Sequence, residues 1–369
     1  MTDRALRRYL LLIMLTLVGI GCIAVYSSTA IMANENYGHP LHFMVNHVIA
    51  IFFGAILAVM MLSIPDQALR RGAKWCVAGC ILLLILVFLF GLEVGGARRW
   101  FHIGRFSLQP SEFSKLALIV YLADYLARKH GMLDRFRDGF LPPMLVAGLM
   151  AGLVLIQPDL GSAVVIGSVT LLLLVIAKAR WQHVAGTAGL GAVALVVLIA
   201  REAYRMRRML AFMNPWQDPR GAGFQIVQSY LAMAHGGLIG QGIGGSMQKL
   251  FYLPSAHTDF IFAILGEELG LFGSTMVLTL FGLFILCGIR MAMRAEDPFR
   301  KYLITGLVGL IGFEAIVHVA VVTGMMPTKG LPLPLISYGG TAMVANGIAC
   351  GLIFYASKQP STLRTERPA

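Results

Sequence analysis

The sequence predicts an all-α polytopic membrane protein with ten transmembrane helices, both termini cytoplasmic, and one long periplasmic loop between helices 7 and 8. Composition is the first reason. The 369 residues are 57% hydrophobic and 13% charged, with a mean hydropathy of +0.76, far from the balance of soluble domains. Second, ten apolar runs follow one another near 9–31, 43–64, 75–92, 112–127, 140–156, 160–177, 184–200, 259–289, 302–323 and 341–357. Third, basic residues alternate between the connecting segments. Segments 4–8, 65–74, 128–139, 178–183, 290–301 and 358–369 hold 19 of the 30 Lys and Arg, and the short loops between them hold 4. That asymmetry orients the chain. A closed barrel would need alternation over ten-residue segments, which is absent. Residues 1–369 read as one integral membrane domain with short tails 1–8 and 358–369 and a large loop 201–258. Arg4, Arg7 and Arg8 resemble the start of a signal peptide, but the apolar run after them is too long for cleavage, so an uncleaved anchor is expected. Cys22, Cys76, Cys80, Cys287 and Cys350 all lie in apolar runs as small hydrophobes. No disulfide is implied.

Taken in order, the first outer loop, Asn34 to His42, is rich in turn formers and suggests no chemistry. The second, EVGGARRWFHIGRFSLQPS, sets Arg98, Arg99 and Arg105 on the cation-poor side, interleaved with Trp100 and Phe101. Such a pattern serves equally as an interfacial aromatic belt or as an anion site built on arginine forks. In the fourth run Glu112 and Lys115 pair at i,i+3 near the outer end, and Asp124 and Arg128 at i,i+4 near the inner end. Helices 5 and 6 meet at QPDLGS, where Asp159 either caps the sixth helix or points into an outer cavity. Loop 201–258 is not low-complexity and is basic through Arg205, Arg207, Arg208, Arg220 and Lys249. Its stretch Phe224 to Leu238 is amphipathic enough to lie on the membrane or dip into it. Gly236 to Gly245 suits backbone amides cradling an anion, or ordinary turns. Glu314 and His318 share a face of helix 9 as a structural pair, with a proton or ion path as the sharper alternative. The last outer loop, TGMMPTKGLPLPLISYGG, is a rigid entry to helix 10 around Lys329, Ser337 and Tyr338.

The stretch KLFYLPSAHTDFIFAILGEELGLFG, Lys249 to Gly273, organises the rest. Pro254 and Ser255 stop regular structure, and from Thr258 the apolar residues recur with helical spacing. Asp259 is thereby expected in the first turn of a membrane helix at headgroup level, with Glu267 on the same stripe about 12 Å deeper. Alone, it reads as a helix cap. Surrounded by Arg98, Arg99, Lys115, Arg220, Lys249 and Lys329, it suits another task. A basic basin holds a diphosphate while a carboxylate takes a proton from a nucleophile, which is the chemistry of glycosyl transfer from a polyprenyl-diphosphate sugar. A divalent cation, Mg or Mn, is the one cofactor that this chemistry admits; no organic cofactor and no nucleic-acid partner are expected. One tension stands: a helix amino terminus lowers an acid's pKa and weakens it as a base unless desolvation offsets this.

The segments GGARRWFHIGRFSLQPSEFSKLALIVYLADYLAR, QPDLGSA, FQIVQSYLAMAHGGLIGQGIGGSMQKLFYLPSAHTDFIFAILGEELGLFG and PTKGLPLPLISYGG resemble the SEDS family of cell-wall polymerases, at ordered spacings over nearly the whole chain. PTKG at 327–330 is more like the division member than the elongation member. The resemblance implies a peptidoglycan glycosyltransferase of the inner membrane that polymerises lipid II on its outer side, by inverting transfer from an undecaprenyl-diphosphate donor. It implies partnership with a class B penicillin-binding transpeptidase and other division membrane proteins at the septum. It places the family's essential aspartate on Asp259, its neighbouring histidine on His257, its arginine pair on Arg98 and Arg99, and its last-loop lysine on Lys329. With these, Glu112, Lys115, Asp159, Arg220, Lys249 and Ser337 complete the expected substrate-binding set. The sequence departs from the family at Ser255, where Glu is usual, at Phe224, where Tyr is common, and at Thr341-Ala342, where two serines follow YGG. Ser255 removes a negative charge four residues from Asp259, which bears on any metal there. Two rivals are a lipid II flippase leaning on Glu314 and His318, and a non-catalytic division scaffold. A scaffold gives no reason for cations gathered on the outer side.

Overall fold

A computed structural model describes residues 2–94, 96–103, 106–250 and 252–358; Arg105 and the tail beyond 358 lie outside them. The elements in order are α1 (Asp3–Tyr37), α2 (His42–Met61), α3 (Asp66–Phe90), β1 (Leu92–Val94), β2 (Ala97–Ile103), β3 (Phe106–Leu108), α4 (Pro110–Arg128), α5 (Leu141–Ile156), α6 (Leu160–Ile176), α7 (Trp181–Arg201), α8 (Ala203–Met213), α9 (Phe224–Gly236), α10 (Ile261–Arg294), α11 (Pro298–Val322) and α12 (Gly340–Ser357). Among the described residues, eight helices are long and apolar enough to cross a membrane: α1, α2, α3, α5 with its lead-in from Phe136, α7, α10, α11 and α12. This is a multi-pass membrane protein. Two of the ten expected spans have a different character. Helix α6 is apolar but 17 residues long, and α4 carries Glu112, Lys115, Asp124 and Arg128. Glu112, Lys115 and Asp124 are tolerated because α4 is enclosed by α3, α6 and α11, so they meet protein and not lipid; Arg128, exposed in the last turn, pairs with Asp124.

Helices α4 and α11 form the centre of the bundle, and α2 and α12 form its tightest seam. A Cβ built on Gly347 would lie 2.6 Å from the Gly54 backbone, and one on Gly351 2.5 Å from the Ala58 carbonyl oxygen. Small residues four apart on both helices let the backbones touch, which is how helices associate where lipid offers no hydrophobic drive.

Two features depart from the all-helical expectation. The three strands form an antiparallel sheet in the order β1-β2-β3, with Glu93 opposite Arg98 and His102 opposite Ser107. The second is a break in α10. The sequence reads 259–289 as one span, yet Gly270 adopts φ 66° and ψ −163°, dividing the helix into arms 261–269 and 271–294. The glycine-rich segment after α9 fills the break. Gln241 N–H donates to the Glu267 carbonyl at 2.9 Å and Gly242 N–H to that of Glu268 at 3.0 Å; Leu271 and Phe272 donate back to Gly237 and Leu238 at 2.9 and 3.2 Å. Backbone groups freed by the break are thus paired again, as they must be at membrane depth.

Candidate active site

Helix α10 begins at Ile261 with Phe260 as its cap residue, and no side chain caps it. Asp259 therefore sits two residues ahead of the helix, in the turn that follows Pro254, and not in the first helical turn where the sequence places it. Ser255 shapes this turn. Its backbone is left-handed at φ 56°, and its carbonyl accepts N–H groups from Thr258 at 3.1 Å and Asp259 at 3.0 Å. A serine held there carries strain of the kind that collects around functional sites.

The last loop packs against this turn. Ser337 Oγ–H donates to the Thr258 carbonyl at 2.7 Å and accepts from Leu333 N–H at 2.8 Å, and Tyr338 N–H donates to the His257 carbonyl at 3.0 Å. Ser337 is thus a buried brace between the two segments. A Cβ on Gly330 would lie 3.3 Å from Asp259 Oδ2, so the glycine leaves space in front of the carboxylate. Asp259 keeps part of its surface open although protein surrounds it closely. Desolvation pushes its pKa up from 3.8 to about 6, against the opposing charge of Arg208 and a hydrogen bond from Thr258. The tension between cap and base is thus resolved by position: the acid is not on the helix, and burial dominates.

Arg208, on α8, reaches the same loop by donating from Nη1 to the Thr328 carbonyl at 3.2 Å. Lys329 is half-buried; desolvation lowers its pKa, and the charge of Asp159 works against that. Asp159 caps α6 through Ser162 N–H at 3.0 Å and Ser162 Oγ–H at 2.7 Å, and its charge is also felt by Glu314. The structure thus shows Asp159 as the buried cap of α6. Below it, Lys115 joins Glu112 at 2.8 Å to Glu314 across the bundle. Glu314 therefore pairs with Lys115 and not with His318, whose Nδ1 meets the Leu331 carbonyl at 2.8 Å.

His257 belongs to an aromatic wall of Phe43, Tyr338 and His47, its ring 5.5 Å from Phe43 and 5.7 Å from Tyr338. Burial lowers its pKa to about 4, so at neutral pH its ring is neutral. Phe43 and His47 were not singled out from the sequence. A histidine inside an apolar run was the available signal.

Other expected residues lie elsewhere. Lys249 pairs with Glu268 at 2.8 Å and donates to Ser27 Oγ at 3.0 Å. The amides of the glycine-rich segment serve α10 carbonyls, and those of Met247 and Gln248 serve the Glu267 carboxylate at 3.2 and 3.3 Å. The anion in that cradle is the protein's own. Arg98 is exposed and 3.6 Å from Glu93, and Arg220 is exposed in a turn. Arg99 donates from Nε to the Gln157 carbonyl at 2.8 Å and from Nη2 to that of Pro158 at 2.6 Å. Arg99→Ala is expected to lower stability by about 2 kcal/mol, seen as a lower thermal midpoint in detergent. Arg99→Lys should recover part of it, because an ammonium cannot reproduce the fork.

The chain as a whole is similar to known proteins. Residues 7–362 match the family of cell cycle proteins FtsW, RodA and SpoVE. The chain belongs to this family. Within it, the chain is 41% identical to a probable peptidoglycan glycosyltransferase FtsW from Geobacter metallireducens over 359 residues, 96% of both chains. It is 40% identical to one from Coxiella burnetii over 92% of both chains, and 37% identical to stage V sporulation protein E of Bacillus subtilis over 95% of this chain and 96% of that one. Among solved structures, a chain from a peptidoglycan synthase complex, described as coordinating polymerization and crosslinking, superposes with a TM-score of 0.77 at 29% identity, covering 97% of this chain and 98% of that one. The rod shape determining protein RodA of Thermus thermophilus gives a TM-score of 0.70 at 26% identity over 94% and 95%. The FtsW/RodA/SpoVE fold thus covers every element of the site just described.

Proposed function

We propose that this chain is an FtsW-type peptidoglycan glycosyltransferase that polymerises lipid II at the periplasmic face of the inner membrane during septal wall synthesis. The observation that carries the mechanism is Asp259, an acid lifted to about pH 6 by burial and still open on one side. Its carboxylate takes the proton of the acceptor sugar hydroxyl as that oxygen bonds to the anomeric carbon of the donor. The bond from that carbon to the lipid diphosphate breaks on the opposite face, and the anomeric configuration inverts. Arg208 and Lys329 offset the charge that develops on the departing diphosphate.

The topology belongs to the same reading: α4 and α6 join the other eight helices as spans, both termini are cytoplasmic, and loop 201–258 is periplasmic. The uneven placing of Lys and Arg supports it. A single-pass, FtsI-like class B penicillin-binding transpeptidase and other division membrane proteins are the proposed partners, since a growing glycan needs crosslinking. Among the described residues no three His, Cys, Asp or Glu side chains gather as a metal site, and the charge that bears on Asp259 is that of Arg208. The donor set does not fit a protein-held divalent ion, so the proposed chemistry uses none; Mg or Mn enters only as a companion of the substrate diphosphate.

A base that titrates near 6 works when deprotonated. With purified protein, lipid II and the transpeptidase, polymerisation should fall about tenfold for each pH unit below 6 and level off above pH 7. A flat profile from pH 5 to 7.5 would remove Asp259 from the role of base.

A further inference from the structure

At the end of the bundle away from Asp259, where α1 and α11 begin and α10 and α12 end, lies a cavity of about 260 Å³ whose cations are Arg7, Arg294, Arg300 and Lys358. Its acids are Asp3, Glu296 and Asp297. Most of the acid charge is already matched. Asp3 holds Arg294 at 2.7 Å. Asp297 holds Arg70 and accepts from Phe299 N–H at 3.2 Å. Asp66, just beyond the cavity, accepts from Arg300 Nη2 at 2.8 and 2.9 Å and from the Tyr355 hydroxyl.

What is left over is positive. Arg7 and Lys358 have no ion-pair partner among the described residues. Arg300 is 7% exposed, and its Nε and Nη1 are buried without a hydrogen-bond partner. Against them stands Glu296, exposed to solvent. Unpaired N–H groups on a buried guanidinium are costly; closed off from the cavity as they stand, they reach an acceptor oxygen there by a turn of the Arg300 side chain, which lines it. A metal ion would not: it would meet cations first, and no metal-ligating cluster exists among the described residues.

We infer that this cavity binds a phosphate-bearing anion through Arg300, Arg7 and Lys358. Phosphate offers several acceptor oxygens to donors arriving from three helices, and arginine forks match it. The volume is several times the roughly 30 Å³ of one water molecule, which admits a headgroup and not merely a halide. The long arm of α10 sets it about 36 Å from the break at Gly270, so it takes no part in sugar transfer. The phosphate comes either from an anionic lipid, since the cavity lies where helices end and headgroups begin, or from solution. Once bound, it ties the starts of α1 and α11 to the end of α12.

The test uses the full-length protein in zwitterionic detergent. Native mass spectrometry and thermal shift are read with phosphatidylglycerol, phosphatidylcholine or sodium phosphate added. Phosphatidylglycerol should be retained and stabilising and phosphatidylcholine not. The double variant Arg7→Gln/Lys358→Gln, which breaks no ion pair, should bind it roughly 30-fold more weakly. Arg300→Lys keeps a charge for Asp66 but lacks the spare N–H groups, and should weaken binding as well. Protection by sodium phosphate alone, lost in the same variants, assigns the site to a soluble phosphate and upholds it. Equal retention of phosphatidylglycerol and equal phosphate response by wild type and both variants overturns it.

Discussion

Asp259→Asn is expected to reduce lipid II polymerisation by roughly 10²–10⁴-fold, the usual contribution of a positioned general base, while leaving the protein folded and more stable. The two effects have one origin. The folded carboxyl titrates at about 6 and the unfolded one at 3.8, so between those values the native state binds more protons, and stability falls as pH rises. Above pH 6 the loss is complete, about 2–3 kcal/mol after allowing for the open side of the carboxyl. Asparagine has the same shape and no charge to desolvate. At pH 8 the variant should melt above wild type, and below pH 4 the two should converge. Activity loss with a lowered melting point would instead mean that Asp259 is a structural residue, and retained activity would end the proposed mechanism.

Gly270→Ala is the second large effect. A Cβ there would stand 2.3 Å from Gly240 N and 2.6 Å from the Leu238 carbonyl oxygen, on a backbone with φ 66°. Both neighbours are main chain and cannot rotate away. Left-handed strain of about 1–3 kcal/mol and overpacking of similar size add to about 3–6 kcal/mol. The expected readout is a large drop in thermal midpoint, with rapid proteolysis of 237–250 once that segment leaves the break. A melting point within two degrees of wild type would show that the break is not built on this contact.

Much of this was legible in the sequence, for physical reasons. Long apolar runs can only be helices in lipid, and the alternation of Arg and Lys between loops orients them. Asp259 stood out because of the cations gathered around it; alone, it reads as a helix cap. The break at Gly270 was hidden, because one glycine in an apolar run is compatible with an unbroken helix. What bends the chain is Gly240, thirty residues earlier, and no local pattern reports that meeting. Charge pairing was hidden in the same way. Spacing joined Glu314 to His318 on one helix, whereas packing joins it to Lys115 on another. Lys249 read as part of the basic basin, but Glu268 lies close enough to hold it. The small sheet escaped notice because its strands are as short as three residues.

The seam between α2 and α12 bears on where the bundle can open. Helices whose backbones touch at Gly54 and Gly347 cannot part without leaving a gap for lipid to fill. Helix α7, by contrast, has no buried residue and is flanked within the bundle by the short α6. The α2–α12 seam is thus the part of the bundle that stays closed, and α7 is the span that its neighbours hold least.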